Sequence, residues 1–246
     1  MKAGITNAYV VTSDNSTVVL ESTIPLGHTL KRKNHSTYEV MVEGDMIMAP
    51  DTIHAFDGLI NTVSIEERKG GSTAVISLQY PSACQVHRVP GIPEKLTLSF
   101  DRDFIKKMLK EKLIVLDPGH GGADGGQRGY INLMEKNVVL DISGFLKSSL
   151  AFFGAKPVMT RERDVVLGES QRIQVVKMLE ADMFLSVHTH WSKDKSVNGS
   201  YGYYIGEAGR HLCGTIVEEL HKKLRLTNIG MEEKSGDALD KCFEHQ

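Results

Sequence analysis

The chain has 246 residues with 29 basic and 31 acidic side chains, a formal charge of −2, and it is 41% hydrophobic and 24% charged. That composition excludes a disordered tail, and the near-neutral charge argues against an electrostatic grip on nucleic acid or an acidic membrane surface. No run approaches the ~18 apolar residues of a membrane-spanning helix, and at ~100–200 residues per domain the length suits one large or two small domains.

Residues 1–20 interleave apolar with polar groups and lack the apolar centre of a signal peptide. The expectation is therefore a cytoplasmic protein or one whose leader has been removed. Up to about residue 100 the hydrophobic pattern has a period of two. Ala8 to Thr12, Thr17 to Glu21 and Tyr38 to Glu43 are short strand candidates. Val63-Ser64-Ile65 joins Thr73 to Tyr80 through Lys69-Gly70-Gly71-Ser72, a plausible hairpin. Leu96, Leu98 and Phe100 then alternate with Thr97 and Ser99. This half reads as an all-β, sandwich-like domain.

A charged stretch, Asp101 to Lys112, marks the boundary, giving domains of 1–105 and 106–246. Beyond it strands and helices alternate. Leu113 to Leu116 is a continuous apolar run, as in a strand buried on both faces. Val138, Ile142, Phe145, Leu146 and Phe153 recur at helical spacing, and Gly154 stands where that helix ends. Lys156 to Thr160 and Asp182 to His188 are strands flanking a helix marked by Ile173, Val176 and Leu179. A strand at Tyr201 to Ile205 and a helix marked by Leu212, Ile216, Leu220 and Leu224 follow. The pattern predicts an α/β domain with a mostly parallel, twisted sheet flanked by helices.

The chemistry concentrates where the first of these strands ends. Asp117-Pro118-Gly119-His120-Gly121-Gly122-Ala123-Asp124-Gly125-Gly126 carries five glycines in ten residues, at the end of a strand where open α/β sheets place ligands. A phosphate cradle needs Gly-Lys-Ser/Thr or G-x-G-x-x-G; here Asp124 stands at the third glycine position and no lysine follows. A metal site fits better. His188 also ends a strand, and Glu135 opens the helix that follows the glycine loop. Two imidazoles and a carboxylate suit zinc with a fourth position left for water. Spacing alone leaves the plainer alternatives open: a hydrogen-bonding loop histidine, and a glutamate favoured by the helix macrodipole. Cys84, Cys213 and Cys242 show no C-x-x-C spacing and read as buried or idle thiols, neither a disulfide framework nor a zinc ribbon.

At these residues the sequence resembles the zinc-dependent N-acetylmuramoyl-L-alanine amidases of the type 3 family. Val115-Leu116-Asp117-Pro118-Gly119-His120-Gly121-Gly122, Glu135-Lys136-Asn137, Met159-Thr160-Arg161 with Asp164, Arg172, Ala181-Asp182, Leu185-Ser186-Val187-His188 and Gly202-Tyr203-Tyr204 carry the likeness in order. The resemblance implies Zn2+ held by His120, Glu135 and His188. It also implies hydrolysis of the amide between the lactyl group of N-acetylmuramic acid and L-alanine in peptidoglycan. Peptidoglycan is then the partner, with room for an activator protein and no membrane insertion. The implied location is the cell envelope, periplasmic or secreted. Residues 1–105 are similar, by strand pattern alone, to the AMIN domain that targets some of these amidases.

Two departures stand out. After the second histidine the chain reads Thr189-His190, where the family has a small residue and then a polar one; on a continuing strand His190 lies on the side of His188, a candidate substrate contact or extra metal ligand, with an exposed strand-end histidine as the plainer alternative. The family's catalytic glutamate, on a final strand before Gly-Phe, has no counterpart, because Glu232, Glu233 and Glu244 lie in polar surroundings. The expectations are an amidase whose chain continues past residue 246, or a catalytically silent zinc or peptidoglycan-binding protein. A zinc hydrolase acting on another amide is a third.

Overall fold

In the computed structural model, which describes residues 2–55, 57–189 and 196–234, the chain divides into two compact units, Met1–Met108 and Leu109–Gln246. The alternating segments of the first unit become β1 (Ala3–Thr12), β2 (Ser16–Ser22), β3 (His28–Asn34), β4 (Thr37–Val42), β5 (Gly44–Met46), β6 (Thr52–His54), β7 (Ile60–Arg68), β8 (Gly71–Leu78), β9 (Cys84–Val89) and β10 (Glu94–Phe100). They pair as two five-stranded sheets, β5-β1-β2-β10-β9 and β3-β4-β8-β7-β6.

Alternation decides which residues meet. Leu96, Leu98 and Phe100 of β10 are buried, and one hydrophobic cluster joins them to Val40 and Val42 of β4, Val63 and Ile65 of β7, and Ala74 and Ile76 of β8. The Phe100 ring meets Tyr38 edge-on, centroids 5.3 Å apart. Strands β7 and β8 form the expected hairpin, with Arg68 opposite Gly71. Gly70 sits in its turn at φ +104°, a conformation glycine adopts without a Cβ penalty. A short helix, α1 (Asp103–Leu109), occupies the stretch expected to be a polar boundary and buries none of its residues.

The second unit begins with β11 (Leu113–Pro118), followed by α2 (Glu135–Phe152), β12 (Lys156–Met159), α3 (Glu169–Leu179) and β13 (Met183–Val187). Strand β11 is central and parallel to both β12 and β13. Its two faces explain its unbroken apolar run. Ile114 and Leu116 pack with Leu140, Leu146 and Leu150 of α2, whereas Val115 packs with Val176 of α3 and with Ala181. On α2 the buried stripe is Glu135, Val139 and Ser143; Ile142 and Phe145, expected in the core, are exposed.

Beyond these lie β14 (Ser200–Tyr204), α4 (Gly206–Leu224) and β15 (Asn228–Glu233). Among the described residues the strands of this unit pair in parallel, apart from two isolated antiparallel bridges in the loop after β11, but they do not make the single sheet expected. They form a three-stranded sheet, β12-β11-β13, and a separate β14-β15 pair that packs on α4. In the first unit β5 runs parallel to β1 within an otherwise antiparallel sheet, so the molecule as a whole is sheet-rich and mixed. The reason in the second unit lies in β15: all but one of its residues are exposed, which is incompatible with a central parallel strand buried on both faces. Among the described residues no helix is long and apolar enough to cross a membrane.

Candidate metal centre

The C-terminal rim of β11 and β13 assembles the site. His120 follows β11 by two residues, His188 follows β13 by one, and Glu135 is the first residue of α2. The loop between β11 and α2 caps that helix: the Glu135 N–H donates to the Gln127 carbonyl at 2.9 Å and the Lys136 N–H to the Gly125 carbonyl at 3.2 Å, satisfying amides that a helix start otherwise leaves unpaired. The Glu135 side chain is thereby free to point into the rim, where it is only 3% exposed.

One donor atom from each of His120, Glu135 and His188 lies within 4.8 Å of the others. His120 Nε2 is 3.2 Å from Glu135 Oε2, and His188 Nδ1 is 3.2 Å from Glu135 Oε1. The two imidazoles stand nearly perpendicular, centroids 4.9 Å apart. Zinc bonds of ~2.0–2.2 Å in tetrahedral geometry put ligand atoms about 3.3–3.5 Å from one another, close to the two histidine–glutamate separations.

Hydrogen bonding gives a second test of fit. Asp124 Oδ2 lies 2.8 Å from His120 Nδ1, and a carboxylate only accepts, so that nitrogen is the protonated one in the neutral ring. Nε2 then presents a lone pair to the Glu135 carboxylate. Two acceptors facing each other at this distance require a proton or a cation between them. The donor set and its geometry therefore fit a metal ion.

Glu135 is held as an anion. Burial pushes its carboxyl up, but the N–H groups of Gln127 and Thr189 and the two imidazoles outweigh burial and leave it below the ordinary glutamate value. Thr189 N–H donates to Oε1 at 2.8 Å and Gln127 N–H to Oε2 at 2.9 Å. The carboxyl of Asp124 is likewise lowered, first by His120 and then by the Gly126 N–H.

Two glycines of the loop make room for these side chains. A Cβ on Gly119 would run into the His188 imidazole, and one on Gly126, at φ +64°, would meet His120 Cδ2 at 2.6 Å and Glu135 at 2.8 Å.

The structure thus brings together the three residues expected as ligands. His190, the expected substrate contact, lies outside the described residues, as does Glu244. Glu232 and Glu233 sit on β15, with Glu232 3.1 Å from the Tyr201 hydroxyl. Sequence reading gave no role to Asp124, Asp117, Gln127 or Thr189. Only Asp124, a carboxylate four residues after a loop histidine, carried a readable signal; the backbone donors carried none.

The arrangement defines a candidate three-ligand metal site on an α/β domain. A family model described as N-acetylmuramoyl-L-alanine amidase (Amidase_3) matches residues 114–243, more than half of the chain, and the chain belongs to that family. It is 33% identical over 153 residues to the probable cell wall amidase LytH of Staphylococcus saprophyticus, covering 61% of this chain and 51% of that protein. It is 32% identical over 130 residues to the N-acetylmuramoyl-L-alanine amidase LytC of Bacillus subtilis, covering 53% and 26%. The chain spans about half or less of the length of these curated relatives. Among solved structures, the catalytic domain of the amidase CwlV from Bacillus (Paenibacillus) polymyxa is 28% identical with a TM-score of 0.48, covering 51% of this chain and 71% of that one.

Proposed function

We propose that the second unit is a zinc-dependent amidase that cleaves the bond between N-acetylmuramic acid and L-alanine in peptidoglycan. The observation that carries this reading is the convergence of His120, Glu135 and His188 within the segment matched to the amidase family. The two imidazoles and the Glu135 carboxylate would hold the ion. When bound, zinc supplies a Lewis acid that polarises the scissile carbonyl and makes water a competent nucleophile near neutral pH.

The remaining work falls to the protein. Asp124 fixes the His120 tautomer with Nε2 facing inward, the usual role of a carboxylate behind a liganding histidine. Gln127 and Thr189 fix both Glu135 oxygens. His190, two residues past His188, is assigned to substrate contact. The first unit is assigned the role of an AMIN-like targeting module, a reading supported by its β-rich build around a core of its own. The working place is the cell envelope, periplasmic or secreted.

The test is the full chain, loaded with zinc and incubated with muramoyl peptides. Release of stem peptide with a new L-alanine amino terminus, abolished by chelation and restored by zinc, is the expected result. Binding of peptidoglycan with no release would overturn the hydrolase reading in favour of a silent binding protein.

A further inference from the structure

His120 is a non-glycine residue at φ +61°, in the left-handed region that persists only where the surroundings over-determine it. What surrounds it is a pair of guanidiniums, that of Arg161 buried and that of Arg172 part-buried. Arg161, 3% exposed, donates from Nε to the Pro118 carbonyl at 3.0 Å and from Nη2 to the carbonyls of Gly119 and Lys136, each at 2.8 Å. Arg172 donates from Nη2 to the His120 carbonyl at 2.8 Å and from Nη1 to the Pro118 carbonyl at 3.0 Å. Its Nε reaches the Leu167 carbonyl at 3.2 Å. Three consecutive carbonyls, 118, 119 and 120, are therefore captured just where the chain leaves β11.

Arg172 is itself anchored. Its Nη1 pairs with Asp117 Oδ1, and Asp117 also accepts from Thr160 Oγ1 at 2.6 Å and Ser186 Oγ at 2.9 Å. Thr160 immediately follows β12 and Ser186 belongs to β13, so the network ties together the ends of all three strands. Lys136 reinforces the far side of the loop by donating to the Gly122 carbonyl at 2.8 Å and to Asp164 at 2.7 Å.

We propose that Arg161 and Arg172 are positioning residues for the metal centre: by gripping the carbonyls of residues 118–120 they hold His120 in its left-handed conformation, facing Glu135 and His188. The inference rests on the reading of those three residues as metal ligands. Arginine suits this role because the donors of its rigid planar fork reach carbonyls spread along the chain, whereas the three donors of a lysine radiate from one nitrogen on a flexible stem.

Arg172→Lys and Arg161→Lys test it. Lysine at 172 keeps a cation beside Asp117 and removes the fork. Zinc affinity is read by chelator competition, the site's geometry by the absorption spectrum of the cobalt-substituted protein, and the fold by thermal unfolding of the metal-free protein. The expected result is a 10–100-fold loss of zinc affinity, the scale seen when groups behind a metal ligand are altered, with a changed cobalt spectrum in protein that remains folded. Variants that bind zinc within twofold of the parent and give the parental spectrum overturn the proposal, even if they melt earlier. If Arg172→Lys does not fold, Arg161→Lys carries the test; if neither folds, the arginines serve the fold as such and the proposal falls. The parent separates this from the underlying reading. A parent without stoichiometric zinc sinks the metal centre and this inference with it, whereas a zinc-binding parent with unaltered variants sinks this inference alone.

Discussion

Glu135 shows how one buried carboxylate can be anchored and kept charged at once. Each of its oxygens accepts one backbone N–H, from Thr189 and from Gln127. A glutamine offers a single oxygen, so in Glu135→Gln one of those N–H groups must face an amide NH2. Leaving such a donor unpaired costs about 1–3 kcal/mol, and that is the stability loss expected for the metal-free variant at pH 7. The sign of the pH dependence follows from the lowered native carboxyl. A depressed value stabilises the native state fully above the ordinary glutamate value of about 4.3, and the benefit is lost as pH falls through the native value. Denaturant titrations of metal-free parent and variant from pH 7 to pH 3 should therefore show the gap closing in acid. A gap that stays constant to pH 3 would mean that the charge of Glu135 contributes nothing to folding.

At the scale of elements, β11 carries the site because both of its faces are covered. Leu116 is fully buried against α2, and Leu116→Ala should cost about 2–5 kcal/mol, read as a fall in the melting temperature of the metal-free second unit. A loss below 1 kcal/mol would show that the strand is not packed as described. Elements of this kind were legible in the sequence: the apolar run of β11 and the alternation of β10 follow from burial acting on a fixed period, and the β7–β8 hairpin was marked by its glycines, although its turn is two residues long where the sequence suggested the four from Lys69 to Ser72. Strands β3 and β9 left no such trace. Their residues are mostly exposed and charged or polar, and each lies at the edge of a sheet, where one side needs no partner. The α2 helix misled in the opposite direction. Ile142 and Phe145 fit a helical stripe but are exposed, whereas the fully buried face runs through Glu135, Val139 and Ser143, with Leu140, Leu146 and Leu150 packed beside it. The candidate ligands were readable because each lies at or beside the end of an element, whereas most of the groups that hold them are backbone amides and carbonyls, which no side-chain pattern records.

For the whole molecule, the separation of the cores has a thermodynamic consequence. The hydrophobic cluster of the first unit draws only on residues from Ala3 to Phe100, and the clusters of the second only on residues from Leu109 to Leu185. The three candidate metal ligands all belong to the second unit. A ligand that binds only the native state adds RT ln(1 + [L]/Kd), about 2.7 kcal/mol at a free concentration of 100 Kd. That stabilisation can act only on the cooperative unit that contains the site. Calorimetric scans with excess zinc and then with a chelator should accordingly move one transition while the other stays in place. The transition that moves should be lost from the metal response in His120→Ala and His188→Ala, with the stationary one unchanged in both. Two transitions that both shift with zinc, or a single merged transition, would show instead that the two units are energetically coupled.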